Sequence, residues 1–280
     1  MTHGIGIQQG RLSPRRDGKL QAFPHASWQA EFGVAARLGF DAIEWLFEND
    51  RASDNPVSSA AGRREIERVV AESGIEVRSL CASYFITHRL AGESPEQVRE
   101  NVRALCDLIE TCGELGVRRV LLPLLEQASV DTPALRDEVV RSLKACAPVA
   151  ERSGLVIGLE MEIAGAEYAA LIERVGHPAV RAYYDTGNST AQGFDIGVDI
   201  EPLLPRLLAV HIKDRKVRAG SVPVGTGDAN FDGFLRTVTR AGFSGDFVFE
   251  HFFEADPEGA ARAALGYLRE HLALAQKAVQ

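Results

Sequence analysis

Short apolar runs recur eight times along this chain, and this recurrence limits its fold more than any other feature of the sequence. Most of the runs are apolar at successive positions, which is typical of parallel strands covered on both faces. The runs are Gly4–Gln9, Ala42–Phe47, Val77–Phe85, Arg119–Leu125, Val156–Ile163, Arg181–Asp185, Leu208–Lys213 and Phe247–Phe252. Each run is therefore predicted to be a buried strand.

Amphipathic stretches with the period of a helix separate the runs, and the clearest are Trp28–Leu38, Arg63–Ser73, Val98–Leu115 and Leu135–Arg152. Several stretches end at a glycine, which can adopt the left-handed conformation that terminates a helix. Eight strands alternating with helices predict a closed (β/α)8 TIM barrel, which typically needs about 250 residues. We therefore expect residues 1–280 to form a single domain. A doubly wound open sheet is the alternative, but no GxGxxG motif follows the first run.

The composition argues against several classes of partner. The formal net charge of −8 would repel a phosphate backbone, so we expect no nucleic-acid partner. The four cysteines form no CxxC pair, which is typical of reduced thiols in a cytoplasmic protein. No apolar run approaches the ~20 residues that span a bilayer, and no signal peptide precedes the first run. A cytoplasmic protein without a membrane partner is predicted, and a homo-oligomer stays open.

A residue able to bind metal lies at the end of each of the last four runs: Glu160, Asp185, His211 and Glu250. In a (β/α)8 barrel the functional side chains project from the C-terminal ends of the strands. Three carboxylates gathered there would repel one another unless a cation compensated them. Any one of the four could be a structural residue, but their occurrence in consecutive units favours a shared site. We expect one divalent metal ion, and the ligand set suits Mn²⁺, Zn²⁺, Co²⁺ or Mg²⁺.

Motifs around these residues resemble the xylose-isomerase-like barrel superfamily of sugar isomerases and epimerases. The resemblance covers nearly the whole chain and includes YDTGN at Tyr184–Asn188, HIKD at His211–Asp214 and LGFDAIE at Leu38–Glu44. More narrowly, the chain is similar to the sugar-phosphate branch, which includes the L-ribulose-5-phosphate and hexulose-6-phosphate 3-epimerases. The free-ketose branch has a histidine three residues after the aspartate, whereas this chain has Asn188, as in the phosphorylated-pentulose branch. Free and phosphorylated ketoses both stay open as substrates.

The resemblance implies catalytic roles for two of the expected metal ligands. In the ketose 3-epimerases the glutamates that end strands five and eight bind the metal and form the acid/base pair, and these positions are Glu160 and Glu250 here. Epimerisation requires a base on one face of the substrate and an acid on the other. A metal that polarises the carbonyl stabilises the cis-enediolate formed between them. A single base that returned the proton to the neighbouring carbon would give aldose–ketose isomerisation, so both outcomes stay open.

Other polar residues near the strand ends are candidates for binding the sugar or sugar phosphate. They are Gln9, Glu44, His88, Asn188, Lys213 and Arg215. Gln9 and Glu44 end or follow the first two strands and could contact hydroxyl groups, or could instead serve as structural hydrogen-bond partners. His88 follows the third strand and could reach the mouth of the barrel or lie in solvent.

A basic cluster follows the seventh run and suggests a phosphate site. Lys213 lies two residues after His211 on the same strand, so its side chain is expected to point to the same side of the strand as His211. Arg215, Lys216 and Arg218 follow it and precede the loop Gly225-Thr226-Gly227. Barrel enzymes often bind phosphate near the loops after strands seven and eight, but a basic run can also be a solvated surface.

Two further functions are weighed against sugar epimerisation or isomerisation. The superfamily includes apurinic endonucleases, metal-dependent phosphodiesterases that use additional histidine and acidic ligands for three metals. This chain has only seven histidines and a negative net charge. A catalytically silent sugar-binding barrel is the other alternative, but binding alone would not require two flanking glutamates at Glu160 and Glu250.

Overall fold

The eight apolar runs form eight parallel strands that close into one barrel in the computed structural model of the protein, which describes residues 3–14, 21–250 and 255–279. The barrel strands are β1 (Ile5–Gln8), β2 (Ala42–Leu46), β3 (Glu76–Cys81), β4 (Arg119–Leu124), β5 (Val156–Met161), β6 (Val180–Asp185), β7 (Leu207–Ile212) and β10 (Asp246–Phe249). Neighbouring strands pair in chain order, and β10 closes the barrel by pairing with β1, with Phe249 opposite Ile7. The predicted (β/α)8 fold is confirmed.

Helices connect the strands and cover the outside of the barrel. They are α1 (Trp28–Leu38), α2 (Ala60–Ser73), α3 (Pro95–Glu114), α4 (Pro133–Arg152), α5 (Gly165–Val175), α6 (Thr186–Ala191), α7 (Ile196–Asp199), α8 (Phe231–Arg240) and α9 (Pro257–Val279). Gly39 ends α1 with a φ of 86°, the left-handed conformation that its position predicted. None of the helices within the described ranges combines the length and apolarity needed to cross a bilayer.

The third and eighth strands end three or more residues before their apolar runs do, and five others end one or two residues early. The third run turns at Ser83–Ile86, where the Phe85 amide donates to the Ala82 carbonyl (3.0 Å) and forms a 3-10 turn instead of a strand. The eighth strand ends at Phe249, and the final part of its predicted run lies outside the described residues. A short hairpin, β8 (Asp214–Arg215) and β9 (Ser221–Val222), follows β7.

The two ends of the barrel differ in character. At the N-terminal end, Asp246 forms ion pairs with Arg78 and Arg119, which join three strands. Aromatic side chains pack between the strands and the helices, as where Trp45 lies against Trp28 with ring centroids 5.2 Å apart. The C-terminal end instead gathers carboxylates and a histidine, and these define the candidate site.

Candidate metal centre

The four predicted metal ligands converge at the C-terminal mouth of the barrel. Glu160 and Asp185 lie at the ends of β5 and β6, His211 lies on β7, and Glu250 directly follows β10. Strand pairing places His211 beside Asp185 and beside Val248 of β10. One ligand atom from each residue lies within 4.8 Å of the others, and all four residues are buried.

The Nδ1 atom of His211 points into this group. It lies 3.4 Å from Glu250 Oε2, 3.7 Å from Glu160 Oε1 and 3.8 Å from Asp185 Oδ2. It is buried and has no hydrogen-bond partner within the described part of the chain. A buried nitrogen without a partner is costly, and so are carboxylates gathered out of water. A divalent cation between these atoms would relieve both costs, so the residues present fit a metal ion.

The electrostatics of the group show the same need for positive charge. Burial raises the pKa of Asp185 to about 7, and the nearby Glu160 and Glu250 carboxylates act in the same direction. Burial also opposes ionisation of Glu250, but the Lys213 ammonium and the His211 ring hold the pKa of that carboxyl well below its usual range. Lys213 Nζ donates to Glu250 Oε2 (2.6 Å) and Asp185 Oδ2 (3.2 Å). The lysine thus partly neutralises two of the expected ligands.

Three of the predicted substrate-binding residues lie together beside the centre. Asn188 donates to Glu160 Oε1 (3.0 Å), and its own Oδ1 accepts from Arg215 (3.2 Å) and lies 3.5 Å from Lys213 Nζ. All three border a cavity of about 870 Å³, within the range of small-molecule pockets. Other described residues that line it include Arg11, Ser83, Glu126 and Glu162.

The side chains of the other three predicted substrate-binding residues lie away from the cavity. Glu44 lies beneath the centre, where Oε1 is 2.7 Å from His211 Nε2 and the side chain is fully buried. Gln9 is buried and its Oε1 accepts from the Leu46 amide (3.4 Å). The His88 ring stacks on Tyr84 with centroids 3.8 Å apart. None of the three is among the residues that line the cavity.

The expected phosphate site is only partly assembled. Arg215 borders the cavity, but Lys216 and Arg218 are exposed. The backbone amides of Gly225 and Gly227 donate to Asp214 (2.9 and 2.8 Å), so this loop does not offer them to a phosphate. The sequence could not show this, because the pairing depends on how the loop folds back onto the hairpin.

Two residues near Glu250 did not emerge from the sequence. The Arg11 guanidinium and the Gln21 amide each donate to Glu250 Oε1 at 3.4 Å. Both belong to the loop after β1, and no periodicity in that segment indicates where its side chains point. The positive φ of Gly10 (86°) turns the chain there.

A closed parallel barrel with this buried centre at its C-terminal mouth defines a class of (β/α)8 enzymes with a site suited to a divalent metal. The model of the xylose isomerase-like TIM barrel family matches residues 32–271, and the chain belongs to this family. L-ribulose-5-phosphate 3-epimerase UlaE of Salmonella heidelberg (strain SL476) is 25% identical over 249 residues, which cover 85% of this chain and 86% of that protein.

Solved structures extend the likeness in fold. The structure of an L-ribulose 3-epimerase matches with a TM-score of 0.79 at 19% identity, covering 99% of this chain and 96% of the other. D-psicose 3-epimerase with D-tagatose from Clostridium cellulolyticum H10 matches with a TM-score of 0.78 at 20% identity, covering 96% and 99%. These relatives and neighbours are sugar epimerases, which are isomerases, and the family predicted from the sequence motifs is confirmed.

Proposed function

We propose that this protein is a divalent-metal-dependent epimerase of a ketose or ketose phosphate. The observation that carries the proposal is the convergence of Glu160, Asp185 and Glu250 on the unpartnered Nδ1 of His211, beside a cavity of sugar-binding size. The similarity to proteins named L-ribulose-5-phosphate 3-epimerase and L-ribulose 3-epimerase supports the choice of reaction and of substrate class.

The two glutamates are suited to proton transfer on opposite faces of a substrate. Glu160 lies on β5, and Glu250 directly follows β10. Strands β6 and β7 lie between these two strands in the barrel. A divalent ion held by Glu160, Asp185, His211 and Glu250 would act as a Lewis acid toward the substrate oxygens. One glutamate removes the proton beside the carbonyl, and the other delivers a proton to the opposite face, which inverts the carbon.

The neighbours of the two glutamates are chemically different. Glu250 is within 3.4 Å of the Arg11 guanidinium and 2.6 Å of the Lys213 ammonium, whereas Glu160 accepts from the neutral amide of Asn188. Lys213, the His211 ring and Arg11 hold the pKa of Glu250 well below its usual range against the effect of burial, so this carboxyl is ionised. Arg215 at the cavity wall can bind either a hydroxyl group or a phosphate, so it fits both substrate forms.

Deuterium exchange tests the proposal directly. The purified protein is incubated in D2O with a panel of free and phosphorylated ketoses and with Mn²⁺, Co²⁺, Zn²⁺ or Mg²⁺. We expect deuterium at the carbon beside the carbonyl of one ketose, together with its epimer. Glu160→Gln and Glu250→Gln should each lower turnover by about 10²–10⁴ while retaining the ion. Near-normal turnover in both variants would refute the two-glutamate mechanism, and an aldose product would show isomerisation instead.

A metal titration separates this function from phosphodiester cleavage. The described residues contain one group of four that could hold an ion, so we expect one ion per chain. Binding of three ions, with cleavage of an abasic-site oligonucleotide, would replace the epimerase proposal with the endonuclease alternative.

A further inference from the structure

We propose that Glu44 is a positioning residue that fixes the tautomer and the orientation of His211, so that Nδ1 faces the metal. This inference rests on the proposed function of the four-residue group as a metal centre. The sequence left Glu44 either a contact for sugar hydroxyls or a structural hydrogen-bond partner, and its contacts connect it to the candidate ligand His211. Its role is therefore exerted through His211, without contact to the substrate.

The two nitrogens of the His211 ring have opposite environments. Nδ1 faces the oxygens of Glu160, Asp185 and Glu250 at 3.4–3.8 Å. Nε2 lies 2.7 Å from Glu44 Oε1, a normal hydrogen-bond distance, and both side chains have no exposed surface. One nitrogen is thus committed to Glu44 while the other is directed at the metal centre.

The remaining contacts of Glu44 determine which nitrogen carries the proton. The Tyr183 hydroxyl (2.6 Å) and the Ser79 hydroxyl (2.8 Å) donate to Oε2, and the Gln8 amide donates to Oε1 (3.3 Å). A carboxylate surrounded by donors accepts at every contact, so the hydrogen between Glu44 and His211 lies on Nε2. In the neutral ring Nδ1 then keeps its lone pair, and this lone pair is what binds a metal ion.

The same contacts restrict the position of the ring. The donors to Glu44 come from β1, β3, β6 and β7, so the carboxylate cannot shift without breaking bonds to several strands. The Tyr183 ring also packs edge-on against His211, with centroids 4.7 Å apart and planes at 64°. The direction of the ring, and the nitrogen that keeps its hydrogen in the neutral form, are thereby fixed by the strands around Glu44.

Glu44→Gln tests the inference because it preserves the size of the side chain. The amide lacks the charge that makes the imidazole more basic, and its NH2 group can face Nε2, which would move the ring proton to Nδ1. We expect the affinity for Zn²⁺, measured by competition with a chromophoric chelator, to fall about 10–100-fold. Asp199→Asn is the matched control, since Asp199 also accepts a tyrosine hydroxyl, from Tyr184 (2.9 Å), but does not belong to the metal centre. Its affinity should stay within about twofold of the wild type.

A spectroscopic measurement on the wild type gives an answer even if the variant does not fold. In the Zn²⁺-loaded protein labelled with ¹⁵N-histidine, NMR should show His211 protonated at Nε2 and coordinated through Nδ1. Coordination through Nε2, or Zn²⁺ affinity within twofold of the wild type in folded Glu44→Gln, would overturn the role of Glu44 and leave the metal centre standing. Failure of the wild type to bind any divalent ion would instead refute the proposed function itself.

Discussion

Lys213 holds the same oxygen atoms that a divalent ion would need. Its ammonium bonds Glu250 Oε2 and Asp185 Oδ2, the atoms nearest His211 Nδ1 from each residue. The Lys213 ammonium and a divalent ion bound to the same oxygen atoms would repel each other. Lys213→Met should therefore bind a divalent ion more tightly than the wild type, by a few-fold or more. Turnover should fall, since Lys213 also borders the cavity. Calorimetric titration with Mn²⁺ at pH 8 measures the first effect.

Lys216→Met provides a matched control for that experiment. Lys216 is exposed and paired with Asp228 at 3.4 Å, so its removal should leave metal affinity unchanged. Weaker binding in Lys213→Met alone would show that the lysine organises the ligands instead of competing for them.

The positions of the candidate metal ligands at the barrel mouth could be predicted from the sequence, whereas the contacts of Glu44 could not. Glu160 and Asp185 are among the last two residues of their strands. The alternation of side chains along a strand and this terminal position are enough to place them at the mouth. Glu44 shares the inward parity but pairs in register with Gln8 and Ser79, with two strand residues still to follow. It therefore lies one layer deeper. The depth of a residue within a barrel depends on the stagger of the strands, which one sequence does not reveal.

At the scale of elements, α1 anchors the loop that carries Arg11. Glu31 on α1 is buried and accepts hydrogen bonds from the backbone amides of Gly10 (2.9 Å) and Leu12 (3.2 Å). Neither the helix pattern nor the loop composition predicts this link. It accounts for the position of Arg11 beside Glu250, which no sequence motif indicated.

The buried Glu31 should make stability depend on pH. Burial raises its pKa from 4.5 to about 7, although the amides of Gly10 and Leu12 favour the ionised form. A raised pKa favours the protonated form in the folded state, so its contribution is fully present below pH 4.5 and is lost as pH rises through 7. Relative to Glu31→Gln, the wild type should lose on the order of 2–3 kcal/mol of unfolding free energy between pH 5 and pH 8.

Urea unfolding with a chelator present, at both pH values, checks this expectation. Glu258→Gln serves as the control, because Glu258 is a surface residue paired with exposed Arg37 and its loss should not change the pH dependence. A difference between wild type and Glu31→Gln that is the same at both pH values would mean that the amide bonds outweigh burial and that Glu31 is ionised throughout.

Most helix and strand positions followed from apolar periodicity, but the connections did not. α2 begins at Ala60, three residues before the predicted start, because Ser59 caps it by accepting from the Gly62 amide (3.0 Å). The hairpin of β8 and β9 has two residues per strand, too short for any periodic pattern. Such local structure is decided by individual hydrogen bonds.

For the whole molecule, closure of the barrel links the two ends of the chain. Since β1 pairs with β10, we propose that the chain unfolds as one domain in a single cooperative transition. A divalent ion that binds only the folded barrel should raise the unfolding free energy by about 2.7 kcal/mol at 100 times its dissociation constant. For a domain of this size that corresponds to roughly 5 °C in Tm.

Scanning calorimetry with and without Mn²⁺ measures both expectations. The Tm shift should disappear in Glu250→Ala, which lacks one ligand carboxylate. Two separate transitions would contradict the single domain, and an equal shift in the variant would place the stabilising ion elsewhere.

The ion pairs of Asp246 with Arg78 and Arg119 lie across the far end of the barrel, and fully buried Glu44 and Tyr183 lie beneath His211. Among the residues that the structure describes, the candidate metal centre is consequently covered from below and opens into the cavity. On the proposed function, an ion and a sugar would both enter through that cavity, and a bound sugar would lie between the ion and the solvent. Bound substrate should therefore slow the rate at which a chelator removes the metal ion.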